Sequence, residues 1–262
     1  AINPEYEVNR IGEFLRQTLK KTGLSKVVIG LSGGIDSATS LMLAVGALGK
    51  ENVHVLLMPY KTHNPQGLQQ AKDVVAFLQI PQTQVEAISI DAAVDAIKRS
   101  LGISEDDTVR LGNIMARVRM IMLFDRAKKR DTLVLGTENK SEYLLGYFTR
   151  GGDELSDIEP VQHLYKTQVY ELANYLGLPP QIIEQSPTAG LWHGQTDEGE
   201  FGFSYKEADQ VLYLYFDRKM SIGDIKKKGF ANAENIVKYA LSNQYKHKVP
   251  YSLSPKIKAK NT

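Results

Sequence analysis

Six consecutive residues, Ser32-Gly33-Gly34-Ile35-Asp36-Ser37, combine a permissive backbone, two hydroxyls and one carboxylate in a pattern suited to phosphate. Successive amides at a helix N-terminus face outward and the helix dipole favours negative charge there, so a strand, a glycine loop and a helix in sequence make an anion cradle. Two commoner cradles do not fit. The Walker loop needs a Lys before its Ser or Thr, and the dinucleotide fingerprint needs three glycines at fixed spacing. Asp36 stands where a cation would be expected. A carboxylate beside bound phosphate is repelled unless a cation lies between them, and Mg²⁺, held by one or two carboxylates, phosphate oxygens and water, is the natural one. The plainer reading is a tight turn after a strand, with Asp36 complementing the helix dipole.

The elements around the loop support the cradle. An amphipathic helix opens the chain, with Val8, Ile11, Phe14, Leu15 and Leu19 at helical spacing and Gly23 past its end. The β-branched run from Lys26 to Leu31 reads as a buried strand, and Asp36 to Leu48 as a helix. The alternation repeats: strand Val53 to Met58, helix Gln66 to Leu78, strand Val85 to Ile90, helix Ala92 to Leu101, helix Val109 to Lys128, strand Thr132 to Leu135. Strands alternating with helices imply an α/β fold with a parallel sheet, whose carboxyl edge binds ligands. Beyond Pro160 the pattern is helical: Lys166 to Leu176, Tyr205 to Asp217 behind a Ser204/Glu207 capping-box spacing, and Ala233 to Tyr245. The expected divisions are an N-terminal helix (1–24), a core (25–160) and a mostly helical part (161–262). Gln185 to Phe203 carries four glycines and little periodicity and reads as a lid loop, with Trp192, the one tryptophan, packing it. The end, with Lys248, Lys256, Lys258 and Lys260, reads as a solvated tail.

Composition narrows the classes. The chain has 262 residues, 42% hydrophobic and 24% charged, enough for one sizeable core. A formal charge of +2 is too balanced for a nucleic-acid-binding face. No run approaches the roughly 20 apolar residues of a membrane span, so a cytoplasmic location is expected. There is no cysteine, which removes thiolate metal sites and cysteine nucleophiles.

SGGIDS resembles the SGGxDS loop of the ATP pyrophosphatase superfamily, whose members adenylate an oxygen and release pyrophosphate. Gly136-Thr137-Glu138-Asn139-Lys140-Ser141-Glu142, then Gly146-Tyr147-Phe148-Thr149-Arg150 and Gly152-Asp153, resemble the GTxxxxE, GxxTK and GD segments of NAD synthetases. Gly112-Asn113, Ala116-Arg117-Val118-Arg119-Met120, Lys166-Thr167 and Pro187-Thr188-Ala189 follow the same order. The resemblance implies a doubly wound, adenine nucleotide α-hydrolase-like fold, and a homodimer that amidates deamido-NAD with ammonia, ATP and Mg²⁺. It implies ATP contacts at Gly30, Leu31, Ser32, Gly33, Gly34, Ile35, Asp36, Ser37, Thr137, Lys166 and Thr188, and Mg²⁺ on Asp36 and Glu142. Deamido-NAD contacts fall on Arg117, Arg150, Asp157, Tyr245 and Lys246, with Asp153 near ammonia; Asp36, Asp153 and Lys166 are the catalytic candidates. Two positions depart from the pattern: Arg150 replaces the usual Lys, which changes hydrogen-bond geometry, and Tyr245 stands where His is common. Without a cysteine to open glutamine, free ammonia is the expected nitrogen donor.

Other readings use the same loop. One is another ATP pyrophosphatase, such as a GMP synthetase core or a tRNA-modifying enzyme; the lack of cysteine weighs against thiolation, and the charge balance against tRNA. The other is a non-catalytic ATP sensor, against which stand the paired acids and cations.

Overall fold

In a computed structural model, residues 2–104, 106–192, 194–248 and 250–251 are described. The chain runs α1 (Pro4–Thr22), β1 (Val27–Gly30), α2 (Ile35–Leu48), β2 (Val53–Leu57), α3 (Pro65–Phe77), β3 (Val85–Ala87), α4 (Asp91–Leu101), α5 (Thr108–Arg130) and β4 (Leu133–Leu135). It continues through α6 (Lys140–Leu145), α7 (Lys166–Tyr175), α8 (Pro180–Ile183), α9 (Asp197–Phe201), α10 (Tyr205–Leu212), α11 (Ile222–Lys227) and α12 (Ala233–Asn243). The four strands are parallel in the order β3-β2-β1-β4, and β1 pairs with β2 on one side and β4 on the other. This is the expected α/β sheet, and the strand order reverses at β1, where a doubly wound sheet opens a crevice at its carboxyl edge.

Both sheet faces are covered. Alternate residues of β1 point opposite ways, so Val27 and Ile29 join one cluster with Leu15, Leu41, Val74 and Leu172, whereas Val28 joins the other with Met115, Val118 and Val94. A third cluster holds the C-terminal helices together around Phe201, Tyr205, Leu212 and Ile236. Among the described residues no helix is long and apolar enough to cross a membrane.

Several expectations shift. The first helix starts at Pro4, four residues before the apolar periodicity, because the Asn3 side chain caps the Tyr6 amide at 3.2 Å and Pro4 has no N–H to leave unpaired. The Tyr205–Asp217 helix is α-helical only to Leu212 and becomes π-helical from Tyr213. Ser204 caps Glu207 as its spacing suggests. The reciprocal capping box is at Asn139 and Glu142 instead. The 185–203 segment is not a bare loop: it contains α9, and Phe201 and Phe203 are buried. The tail beyond Tyr251, with Lys256, Lys258 and Lys260, lies outside the described residues.

Candidate functional site

A cleft of about 650 Å³ opens at the carboxyl edge of the sheet, at the reversal of strand order. Its floor is the loop between β1 and α2. The Ser37 hydroxyl donates to Gly34 O (3.0 Å), the Ser32 amide donates to Ser37 Oγ (3.3 Å), and the Gly34 amide donates to Ser32 Oγ (3.2 Å). The serines therefore hold the loop against the first turn of α2, whose amides have no intrahelical acceptor. Gly33 adopts φ +90°, and a Cβ there would lie 2.1 Å from Gly67 O of α3. Only glycine fits, and Gly33 faces α3 and does not line the cleft, unlike Gly30, Leu31, Ser32, Gly34, Ile35, Asp36 and Ser37.

Beside the floor sits a charge cluster. Lys166, 2% exposed, donates to Asp36 Oδ2 at 2.5 Å and to Glu142 Oε1 at 3.2 Å. Asn139 Nδ2 donates to Asp36 Oδ1 at 2.9 Å, while the Asn139 amide donates to Glu142 Oε2 at 3.3 Å. Burial pushes the Glu142 carboxyl well up and the Asp36 charge adds to this, against the opposing effect of Lys166. For Lys166 burial favours the neutral amine, but Asp36, Glu142 and Asp197 outweigh it and hold the ammonium above its ordinary range. A Lys seen alone in sequence reads as an exposed helix-face charge; here it is among the most buried side chains.

The cluster is positioned from a distance. Asp209 of α10 accepts from Ser141 Oγ (2.5 Å) and from the Thr167 amide (2.8 Å), and Ser141 Oγ accepts from the Lys166 amide (2.8 Å). One carboxylate thereby ties the start of α7, which carries Lys166, to α6, which carries Glu142. Asp197 of α9 accepts from Tyr147 (3.2 Å) and Tyr205 (3.1 Å) and ties the 185–203 segment to the same wall.

Thr137, Asp153, Thr188 and Lys246 also line the cleft, as does Trp192, which was expected only to pack its loop. Asp153 accepts from the Thr149 amide (3.0 Å), and Lys246 Nζ donates to Gly146 O (2.7 Å) and Phe148 O (3.0 Å). Arg117, Arg150, Asp157 and Tyr245 do not line it. Arg117 Nε donates to Arg150 O (3.1 Å) and the Arg150 guanidinium lies 5.2 Å from the Tyr245 ring centre, so these three form one exposed patch. Asp157 is used by the sheet, its carboxylate accepting the Val134 amide at 2.8 Å. Sequence reasoning gave no role to Asn139, Ser141, Asp197, Asp209 or Arg119. The Asn139/Glu142 capping spacing was readable; nothing local ties Asp209 to Ser141.

The arrangement can hold a polyphosphate at the α2 N-terminus with carboxylates and cations around it. The sequence profile of the NAD synthase family matches residues 7–250. An NH3-dependent NAD+ synthetase of Fusobacterium nucleatum is 45% identical over 252 residues, covering 95% of each chain. An NMN synthetase structure from Francisella tularensis superposes with a TM-score of 0.83 at 33% identity, over 98% of this chain and 100% of that one. An NH3-dependent NAD synthetase structure from Campylobacter jejuni gives 0.77 at 34%, over 97% and 100%. A match spanning nearly the whole sequence and the same spatial plan make one conclusion: this chain belongs to the NAD synthase family.

Proposed function

We propose that the chain is a ligase that joins ammonia to the carboxyl group of deamido-NAD, converting ATP to AMP and pyrophosphate. The observation that carries this reading is the Asp36–Lys166–Glu142 cluster at the N-terminus of α2, inside a cleft large enough for nucleotides. In this reading the β- and γ-phosphates lie on the α2 amides with Ser32 and Ser37, and Lys166 turns from its carboxylates to the phosphates. A carboxylate oxygen of deamido-NAD bonds to the α-phosphorus, and the bond to the β-phosphate oxygen breaks, its electron pair leaving with pyrophosphate. Ammonia nitrogen then adds to the adenylated carbonyl carbon, AMP leaves, and a proton is lost from nitrogen, with Asp153 beside it to orient the ammonia. The 185–203 segment, with Trp192 over the cleft, excludes water that would hydrolyse the adenylate.

Asp36 and Glu142 suit Mg²⁺: they are hard carboxylate donors that share one ammonium and both line the cleft in which phosphate oxygens would complete the shell. Bound there, Mg²⁺ would offset phosphate charge. We further read the protein as a cytoplasmic homodimer. Support comes from α5, where Arg117 shares one stripe with exposed Ile121 (66%) and Phe124 (38%). Arg117, Arg150 and Tyr245 would then meet substrate between protomers, and its ATP is a cytoplasmic metabolite.

The test is incubation with ATP, Mg²⁺, ammonium and either deamido-NAD or the corresponding mononucleotide, with products separated by chromatography. Equimolar NAD, AMP and pyrophosphate from the dinucleotide support the reading. Turnover of the mononucleotide alone would transfer the chemistry to an NMN synthetase, and release of ADP would overturn it.

A further inference from the structure

Four cations line the cleft among the described residues, and they differ in how far their donors are used. Lys166 is held by two carboxylates, Lys246 by two carbonyls, and Lys61 by Asp95 at 3.1 Å. Arg119 of α5 is different. It is half-buried and lines the cleft, and its Nε donates to Met58 O at 3.1 Å. No carboxylate lies within ion-pair distance of it among the described residues; the nearest influence is the more distant charge of Asp153. Burial draws its pKa down to about 10, so it remains charged at neutral pH. A guanidinium has five N–H donors, and one hydrogen bond leaves four for something else. A half-buried charge with no ion-pair partner is well placed to take an anion.

Its place in the fold indicates which partner. Met58 follows β2 directly, and Leu31, the residue before the phosphate loop, donates its amide to Leu56 O of β2 at 2.9 Å. Neighbouring parallel strands are about 4.8 Å apart, so Arg119 hangs over the strand end beside the start of the loop. Around it the wall is apolar, formed by Met58, Met120 and Leu123. Asp153 lines the same cleft, next to Gly152, which packs on Ala116 one turn before Arg119 on α5. On the amidation reading, a triphosphate whose terminal two phosphates occupy the α2 N-terminus can reach this wall with its remaining phosphate.

We propose that the Arg119 guanidinium binds the α-phosphate of ATP and stabilises the charge that builds on it when the substrate carboxylate attacks. This rests on the amidation reading above. In that step a carboxylate oxygen bonds to α-phosphorus, the bond to the bridging β-oxygen breaks with its electron pair leaving on pyrophosphate, and no proton moves. Lys166 serves the leaving pyrophosphate; Arg119 serves the phosphorus under attack, where a planar fork spans two oxygens.

The experiment is deamido-NAD-dependent exchange of labelled pyrophosphate into ATP, with steady-state synthesis, in wild type, Arg119→Gln and Arg119→Lys. Gln keeps an N–H for the Met58 carbonyl and removes the charge. Folded Arg119→Gln should lose about 10²–10³-fold in exchange rate and kcat, the scale for one transition-state donor. Its ATP KM should stay within about threefold, and millimolar guanidinium should restore part of the rate. A kcat within about threefold of wild type, or a loss confined to ATP KM, overturns the proposal; the second result would assign Arg119 to ground-state binding of ATP with no part in the transition state. If Arg119→Gln does not fold, Arg119→Lys decides, with about a tenfold kcat loss expected because the fork is gone and an unchanged kcat refuting it. Wild-type protein with no exchange at all would refute the amidation reading instead.

Discussion

Glu138 lies beside the site without taking part in the proposed chemistry, and it makes a measurable claim on stability. It is 7% exposed, its Oε2 accepts from Gln162 Nε2 at 2.7 Å, and its Oε1 has no partner. Its backbone amide donates to Glu159 Oε2 at 3.0 Å. Burial raises the Glu138 carboxyl from 4.5 to about 8, Gln162 opposes, and the charges of Glu159, Asp153 and Glu154 add to the rise. The folded state therefore binds a proton that the unfolded chain has released between these two values. Stability from this group is fully present below pH 4.5 and is lost as pH rises toward about 8. At about 1.4 kcal/mol per pH unit the loss comes to about 4–5 kcal/mol, an upper figure. Part of it is shared with Glu159, whose own carboxyl burial raises to about 7. Glu138→Gln fixes the neutral state and accepts the same Gln162 hydrogen bond. Urea unfolding at half-unit steps from pH 5 to pH 8.5 should show the variant gaining on wild type by several kcal/mol across the range. Parallel curves for the two proteins would refute the assignment of a protonated, buried Glu138.

Four further outcomes follow from particular contacts. Gly33→Ala combines a positive φ with a clash against Gly67 O and should cost roughly 2–5 kcal/mol, read by denaturant unfolding, with loss of ATP binding. Ser141→Ala and Asp209→Asn should each lower kcat, and because they break one network the double variant should be little worse than either; additive losses would separate them. A Cβ at Gly112 would meet Leu191 Cδ1 at 2.9 Å, so Gly112→Ala should prop the lid segment outward, with faster hydrogen exchange at 188–192 and a higher ATP KM. Inactive Asp36→Ala and Arg117→Ala chains, refolded together, should recover on the order of a quarter of wild-type sites if Arg117 serves the partner's cleft; no recovery in proven hybrids would place Arg117 within its own chain.

The phosphate loop was legible because strand, glycines and helix are adjacent in sequence and each has a local signature. The same holds for the paired acid at Glu142, once the family pattern was seen. The rest depends on long-range geometry. Arg117 and Arg119 are two residues apart, yet on a helix that spacing sends them to different faces, so one is exposed and the other lines the cleft. Periodicity in α5 alone does not say which face meets the sheet, since Val109 and Ile121 are also exposed. The 185–203 segment reads as a loop because its burial comes from Phe201 and Phe203 packing with the C-terminal helices, a contact no local pattern announces. Asp209 meets Ser141 across 68 positions of chain.

That last contact also bears on where an anion can dock. Two helices, α2 and α7, begin beside the same cluster, and either could present amides to an anion. In α7 the opening is closed: the Lys166 amide is spent on Ser141, the Thr167 amide on Asp209 and the Gln168 amide on Tyr165 O at 2.8 Å. On the proposed reading, the helix N-terminus left open to a triphosphate is that of α2. On that reading, a carboxylate that never needs to touch the nucleotide withholds the competing helix end and so helps to confine the triphosphate to α2.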